Sequence, residues 1–522
     1  MATLDDDLMD PGRFPGPRSA NVSRIETHCS TVYLLEDRVY KLKKHVNLGF
    51  LDFTTLEGRR SACEAELVLN RRLAPEVYRG VLPVVRDSDG KRRIAGDGSA
   101  IDWAVWMVRL PDEARADLML ARGALDSHKI ETIARFLARF HASCRVDETT
   151  APYGAPERIL VNVVENFAQA SPVIDGYLTA AEAREIEAWQ TEFLRRQERL
   201  LLARIAARRV RDGHGDLRLE HVYFLPSGPV VIDCIEFNER FRYADVASDL
   251  AFLSMDLAAH ERVDLAEQLL SAYAQESNDY GLYSVIDFYE SYRAYVRAKI
   301  AAMMASDARS SDKIRAAARE QARRHFILAL SADRTPLLQP RLVVIGGLPA
   351  SGKSTVAAKL SRILSAPIVA ADRTRKSLLG VEATEHIEVD SWAGAYDKKF
   401  TEKVYEEMIE RARIVLESGR PVILDGSFRA KHLRAAARAL AEKHGAPFLF
   451  VECRAAREVC RARLEHRGQE EDVVSDARAD LFDDFARAWE AVNELPSEEH
   501  LIIKSEGATG RLEELLESRF GS

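Results

Sequence analysis

Arg341-Leu-Val-Val-Ile-Gly-Gly347-Leu-Pro-Ala-Ser-Gly352-Lys353-Ser354-Thr355 is the stretch that decides how this chain is read. The apolar run at its start predicts a buried strand, and helical spacing of apolar residues sets in from Lys353. The loop between fits G-x-x-x-x-G-K-[ST] at every position and lies between a strand and a helix, as its mechanism demands. Glycines let backbone N–H groups turn inward around phosphate oxygens, and the following helix N-terminus adds partial positive charge. Lys353 is expected to reach the β- and γ-phosphates of ATP and Ser354 to ligate Mg²⁺. Gly347, Ser351, Gly352 and Thr355 complete the expected nucleotide cradle.

Working outward, short apolar runs alternate with helical stretches: PIVAA (367–371), PVILD (421–425), PFLFVEC (447–453) and HLIIK (500–504). With the first run they make five strands of a doubly wound parallel sheet. Asp425 ends its strand 72 residues after Lys353 and suits a Walker B-like hold on Mg²⁺. The turn after the second strand carries Asp372, able to accept a proton from an acceptor hydroxyl, and Arg375, able to position acceptor or phosphate. Ligands of open α/β sheets bind at the carboxyl ends of strands, so this turn is expected to face the phosphates. Arg463 and Arg467, four apart on a later helix, are lid candidates over the nucleotide.

GGLPASGKST, ADRTRK, VILDGSF and the arginine-bearing segment together resemble the P-loop kinases that include gluconate kinase, zeta toxin and polynucleotide kinase. The resemblance spans roughly 338–518 and implies transfer of a γ-phosphate to a hydroxyl. It maps the acceptor-side aspartate and arginine of those relatives onto Asp372 and Arg375.

A second constellation lies upstream. Gly213-His214-Gly215-Asp216-Leu217 is followed 17 residues after Asp216 by Asp233, at the end of Val231-Ile232-Asp233, and then by Ser248-Asp249-Leu250-Ala251. Phosphoryl transfer needs one carboxylate to orient the attacking hydroxyl and another to hold Mg²⁺, here Asp216 and Asp233. The spacing resembles the aminoglycoside phosphotransferase and choline kinase group, relatives of the protein kinases. That resemblance covers about 25–330 and implies a bilobal fold. It assigns Lys41 to the nucleotide's α/β-phosphates and Glu66 as its helix partner, with Lys43 and Glu64 as competitors. Strand alternation puts Lys41 and Lys43 on one face and so does not choose between them. His221 stands where the group has a metal-binding asparagine, with Glu220 or Glu236 as possible substitutes. Two β-runs about Glu36-Asp37 predict a hairpin, residues 55–73 a helix, and Trp103–Val108 a buried strand.

The chain of 522 residues is too long for one core. The expected domains are an N-terminal arm over 1–22, a kinase-like domain over 23–335 and a P-loop domain over 336–522. The net charge of −8 argues against a general nucleic-acid binder. The six cysteines show no CxxC pair, the acidic N-terminus has no signal-peptide pattern, and no apolar run reaches membrane-spanning length. The expectation is a cytoplasmic, ATP- and Mg²⁺-dependent bifunctional kinase acting on a small-molecule hydroxyl. The alternatives are a first domain that is a ligand-sensing pseudokinase, a nucleotide-gated switch, and a nucleic-acid 5′-hydroxyl kinase.

Overall fold

Alternation of apolar and polar side chains builds the first sheet of the protein, whose computed structural model describes residues 7–17, 19–47, 49, 51–308, 310–331, 338–381, 385, 397–467 and 482–505. Ser23–Glu26 (β1), Ser30–Leu34 (β2) and Arg38–Lys43 (β3) form an antiparallel meander in which Val32 faces Lys41. Tyr78–Arg86 (β4), Arg92–Ile94 (β5) and Asp102–Val108 (β6) complete six antiparallel strands in the order β1-β2-β3-β6-β4-β5. The hairpin about Glu36-Asp37 is β2–β3, and the run at 103–108 is β6.

One face of this sheet packs Val39, Tyr78, Val105 and Met107 against Cys63 of the helix Leu56–Asn70. Thr55 caps that helix, accepting from Gly58 N at 3.0 Å. Its buried residues include Ala62, Cys63, Glu66 and Asn70, a three-and-four spacing that turns Glu66 toward the sheet. The other face holds Tyr33, Tyr40, Leu42 and Ala104. The arm expected over 1–22 is described from residue 7, and there Leu8 and Phe14 belong to this core, with Arg38 donating to the carbonyls of Pro15 and Pro17 at 2.5 Å.

The rest of the first unit is mostly helical, with two small antiparallel pairs. Val210–Asp212 (β7) pairs with a strand at Tyr243–Asp245, and Val222–Leu225 (β8) pairs with Gly228–Val231 (β9); the Tyr243–Asp245 strand is β10. The loops after β7 and β9 carry Asp216 and Asp233.

In the second unit, Leu342–Gly347 (β11), Ile368–Ala370 (β12), Val422–Asp425 (β13), Phe448–Arg454 (β14) and His500–Lys504 (β15) form a wholly parallel sheet, ordered β12-β13-β11-β14-β15. β11 and β13 are buried along their whole length, as expected for strands covered on both faces. β11 has β13 on one side and β14 on the other, so the connections diverge at its carboxyl end. That switch point is where such sheets bind ligands.

Contacts divide the chain into two units, the first of 1–132, 139–257 and 292–326, the second of 133–138, 258–291 and 327–522. The segment 258–291 packs with the parallel sheet: Tyr280 OH donates to Ile368 O at 2.5 Å, and buried Arg420 bonds Glu267 at 2.9 and 2.8 Å and Asp287 at 2.8 Å. The domain boundary expected near 335 lies outside the described residues. No described helix is long and apolar enough to cross a membrane.

Candidate functional site

The loop after β11 has the shape its sequence demands. Gly347 adopts φ +147°, and a Cβ there would lie 2.4 Å from Cys453 O and 2.6 Å from Ser351 Oγ. Gly352 adopts φ +92°, and its Cβ would lie 2.7 Å from that of Ser505. Both glycines are therefore fixed by conformation and by space. Ser351 is buried, and among the described residues its hydroxyl has no hydrogen-bond partner. Lys353, first residue of the helix Lys353–Leu364, folds back to donate to Leu348 O at 2.8 Å. Ser354 Oγ donates to Asp425 Oδ2 at 3.0 Å, because the parallel register sets Asp425 opposite Ile345 at the loop's base. Thr355 is exposed on the helix's first turn. An orphaned hydroxyl, two positions closed to any Cβ, and a serine–carboxylate pair at a helix N-terminus fit a triphosphate tail with Mg²⁺.

Around this loop, Arg463 donates to Ala350 O at 3.1 Å and to Ser505 Oγ at 3.0 Å, so it braces the loop's outer edge. Arg467 ends its helix, and its side chain lies outside the described residues. Asp372 is half-buried on the first turn of the helix Ala371–Leu379. Ala370 occupies the cap position, so Asp372 is not a helix cap, and among the described residues it has no hydrogen bond or ion pair. Arg375 is buried on the same helix. Burial pushes the neighbouring Arg429 guanidinium's pKa down, and the Arg375 charge adds to that. The helix is fastened by Arg411, which donates to Thr374 Oγ1 at 3.0 Å, and by Asn278, which donates to Ser377 Oγ at 2.6 Å.

In the first unit both candidate lysines reach Glu66. Lys41 Nζ lies 2.9 Å from Glu66 Oε1 and 2.5 Å from Asp233 Oδ1, while Lys43 Nζ lies 2.5 Å from Glu66 Oε2 and also pairs with Glu236. Lys41 thus joins Glu66 to Asp233, and Lys43 joins it to Glu236. Glu64 points away and pairs with Arg60 on the exposed face. Burial works to lower the Lys41 pKa, yet Asp233, Glu66 and Glu236 outweigh it and hold the ammonium well above its ordinary value. Partial desolvation opposes the charge of Asp233, but the Lys41 ammonium outweighs it and holds the carboxyl well below its ordinary range. The Asp233 φ of +66° is a left-handed turn held by Asp233 N, which donates to Tyr78 OH at 3.2 Å, and by Cys234 N, which donates to Asn70 Oδ1 at 2.8 Å.

The loop after β7 is organised by Asp249, which accepts from His214 N at 2.6 Å and Gly215 N at 2.8 Å and faces His141 Nε2 at 3.3 Å. A Cβ on Gly213 would lie 2.2 Å from Asp249 Oδ2. Burial would raise the Asp216 pKa, but the positive surroundings, Arg218 foremost, bring it down to about 2, so Asp216 stands as a carboxylate. Arg218 grips it with two bonds of 3.0 Å. His221 Nδ1 lies 2.8 Å from Asp216 O, and Arg218 Nη2 lies 3.3 Å from Nε2. The carbonyl can only accept and the guanidinium can only donate, which assigns the proton to Nδ1. Asp233 Oδ2 lies 3.6 Å from Nε2, whose single lone pair accepts from Arg218. Asp233 offers an oxygen for Mg²⁺ beside phosphate oxygens that a nucleotide would bring, and His221 Nε2 would join it only once Arg218 releases its lone pair. Glu236, the alternative ligand, is paired with Lys43 as Asp233 is with Lys41. Among the described residues no cluster of three or more metal-binding side chains occurs.

Residues 59–289 match the family described as phosphotransferase enzyme family, and residues 342–492 match the one described as AAA domain. An uncharacterized protein of Mycobacterium tuberculosis is 34% identical over 459 residues, 87% of this chain and 88% of its own. A Mycobacterium bovis protein matches with the same figures. The chain belongs to their family. It is a fusion of a phosphotransferase-family domain and a P-loop kinase domain. Among solved structures, a choline/ethanolamine kinase family protein from Mesorhizobium loti is 14% identical with a TM-score of 0.35, covering 63% of this chain and 99% of its own. A gluconokinase from Sinorhizobium meliloti is 17% identical with a TM-score of 0.26, covering 35% and 95%. Likenesses of that size carry no argument about chemistry or substrate.

Two residues beside Asp216, Arg218 and Arg297, are not singled out by the sequence, and one that is, Asp249, has a role the sequence does not give. Asp249 was visible as part of a spaced motif, but its role as acceptor for the His214–Gly215 backbone depends on folding. Arg218, two residues past Asp216, gave the signal of a charge beside a candidate base. Arg297 gave none, since it sits in an ordinary helical stretch far along the chain.

Proposed function

We propose that this fusion is a cytoplasmic, ATP- and Mg²⁺-dependent phosphotransferase whose two kinase-like domains each transfer a γ-phosphate to the hydroxyl of a small molecule. The observation that carries the reading is a pairing repeated in two unrelated folds: a metal-suited carboxylate held beside a phosphate-gripping group. Ser354 meets Asp425 at 3.0 Å next to Lys353, and Lys41 meets Asp233 at 2.5 Å. In the second unit Lys353 and the Gly347–Gly352 backbone take the phosphates, Ser354 and Asp425 take Mg²⁺, and Asp372 accepts the acceptor's proton with Arg375 as positioning group. In the first unit Lys41, oriented by Glu66, takes the phosphates, Asp233 and His221 take Mg²⁺, and Asp216 is the base. Incubating the full chain with γ-labelled ATP, Mg²⁺ and a metabolite pool is expected to give two labelled product classes. Lys353→Ala removes one and Asp216→Ala the other. Absence of any ATP binding or turnover sinks the proposal.

A second reading has its own support: the first domain is a pseudokinase. His221 replaces the amide expected at its position, and Arg218 already occupies the Asp216 carboxylate. On that reading Asp216→Ala changes no product, while Lys353→Ala abolishes all of them.

A further inference from the structure

The helix Ala371–Leu379, which carries Asp372 and Arg375, has nine residues, too few to hold a helix unaided, and its Leu378 and Leu379 are exposed. Apolar burial of its leucines therefore does little to place it. Polar contacts stand there instead. Arg373 Nη1 donates to Gln275 O at 3.1 Å, and Arg373 Nη2 lies 3.7 Å from Glu276 Oε2. Arg411 Nη1 donates to Thr374 Oγ1 at 3.0 Å and to Asn278 Oδ1 at 2.8 Å, and Asn278 Nδ2 donates to Ser377 Oγ at 2.6 Å. Thr374, Arg411, Asn278 and Ser377 form a closed clamp that leaves the helix and returns to it one turn later.

Asn278 lies in the segment 258–291 and within the residues matched to the phosphotransferase family, 59–289. It closes the helix Val263–Ser277 in the left-handed region, φ +52°, with its backbone N–H on Ala274 O. A guanidinium only donates, so the Asn278 carbonyl oxygen faces Arg411 and the amide nitrogen is left for Ser377. On either side of it the segment is fastened to the edge of the parallel sheet. Ser271 Oγ donates to Ala366 O at 3.3 Å, and Tyr280 OH to Ile368 O at 2.5 Å. At about 3.6 residues per turn, Thr374 and Ser377 share one side of their helix, and Asp372 and Arg375 share nearly the opposite side. A clamp on the first pair sets the angle at which the second pair is presented.

We propose that Asn278 is a positioning residue of the P-loop site: with Arg411 it holds the helix Ala371–Leu379 so that Asp372 and Arg375 meet the acceptor. This rests on the reading of Asp372 and Arg375 as the acceptor-side pair. The acceptor half of the P-loop site is then completed by a residue that belongs in sequence to the phosphotransferase-family match. The nucleotide half, from Gly347 to Ser354 with Asp425, stands apart from the clamp.

The test uses the full chain. Asn278→Gly keeps the left-handed turn and removes both side-chain contacts, and Asn278→Asp is the rescue, since its carboxylate accepts from Arg411 and from the Ser377 hydroxyl. Amide hydrogen exchange over 371–379 is expected to quicken about tenfold or more in Asn278→Gly, and to stay within about threefold of wild type in Asn278→Asp. Exchange over 353–364 is expected to be the same in all three proteins. With γ-labelled ATP, Mg²⁺ and a metabolite pool, the product class that Lys353→Ala removes is expected to form about tenfold or more slowly in Asn278→Gly at saturating ATP. The ATP concentration for half-maximal rate should not move, and Asn278→Asp should restore the rate. Unchanged exchange over 371–379 in Asn278→Gly overturns the proposal, as does faster exchange with no loss of that product. A rise in the half-saturating ATP concentration also overturns it, because Asn278 then supports the nucleotide half. Failure of the underlying reading shows separately: Asp372→Asn would leave the Lys353-dependent product unchanged while the exchange difference in Asn278→Gly persisted.

Discussion

Acid should act on the first domain through His214. This residue has no exposed surface, and both ring nitrogens are engaged: Nε2 lies 2.9 Å from Ile232 O, and Asp216 N donates to Nδ1 at 3.2 Å. A carbonyl accepts only and an amide N–H donates only, so the ring is neutral with its proton on Nε2. A second proton on Nδ1 would point at the Asp216 N–H and break that contact. Burial pushes the pKa down from 6.5 to about 4, and the nearby Asp249 carboxylate does not reverse it. The unfolded chain therefore takes up a proton near 6.5 and the folded chain only near 4. Between those values the unfolded state holds more protons, so the stabilisation is complete above the upper one and lost as pH falls to the lower. The loss is roughly 3 kcal/mol. Urea unfolding followed by tryptophan fluorescence, with Trp103 and Trp106 in the first sheet as reporters, measures it at several pH values. His214→Gln is the control, since its amide can donate to Ile232 O and accept from Asp216 N without titrating. The stability of wild type relative to this variant should fall by about 3 kcal/mol from pH 7 to pH 4. A difference that stays constant across that range would falsify the reasoning.

The two lysines of β3 should separate by assay. Lys43→Ala leaves buried Glu236 without its paired cation, while Glu66 keeps Lys41, and is expected to lose about 3–5 kcal/mol of stability. Lys41→Ala is expected to weaken ATP binding to the first domain with the smaller loss of stability, because the carboxylate it leaves, Asp233, is partly exposed whereas Glu236 is buried. Thermal unfolding and nucleotide titration of both variants decide this, and equal effects on both readouts contradict it. Arg420→Ala strips the cation from buried Glu267 and should destabilise the second domain by about 3–5 kcal/mol in denaturant titration. A change below about 1 kcal/mol would mean that segment 258–291 does not depend on this ion pair.

The parallel-sheet domain was legible because its signals are local: a buried strand, a loop where glycine alone fits at 347 and 352, and a helix starting at Lys353. Asp425 was legible too, since a residue ending the strand beside β11 must lie near the loop. The roles of Lys41 and Lys43 were not, because a period of two puts both on one face, and only the positions of Asp233 and Glu236 tell them apart. The packing of 258–291 with the second unit was equally hidden. An amphipathic helix announces that it has an apolar face but not which core receives it. Arg297 illustrates the same limit for charge: 81 residues separate it from Asp216, whose carboxyl it helps to hold low.

The central claim is that two separate phosphate grips exist in one chain. Calorimetric titration of the full-length protein with a non-hydrolysable ATP analogue and Mg²⁺ tests it most directly. Two nucleotides per chain are predicted for wild type, one after Lys353→Ala and one after Lys41→Ala. A count that neither substitution changes would contradict the account.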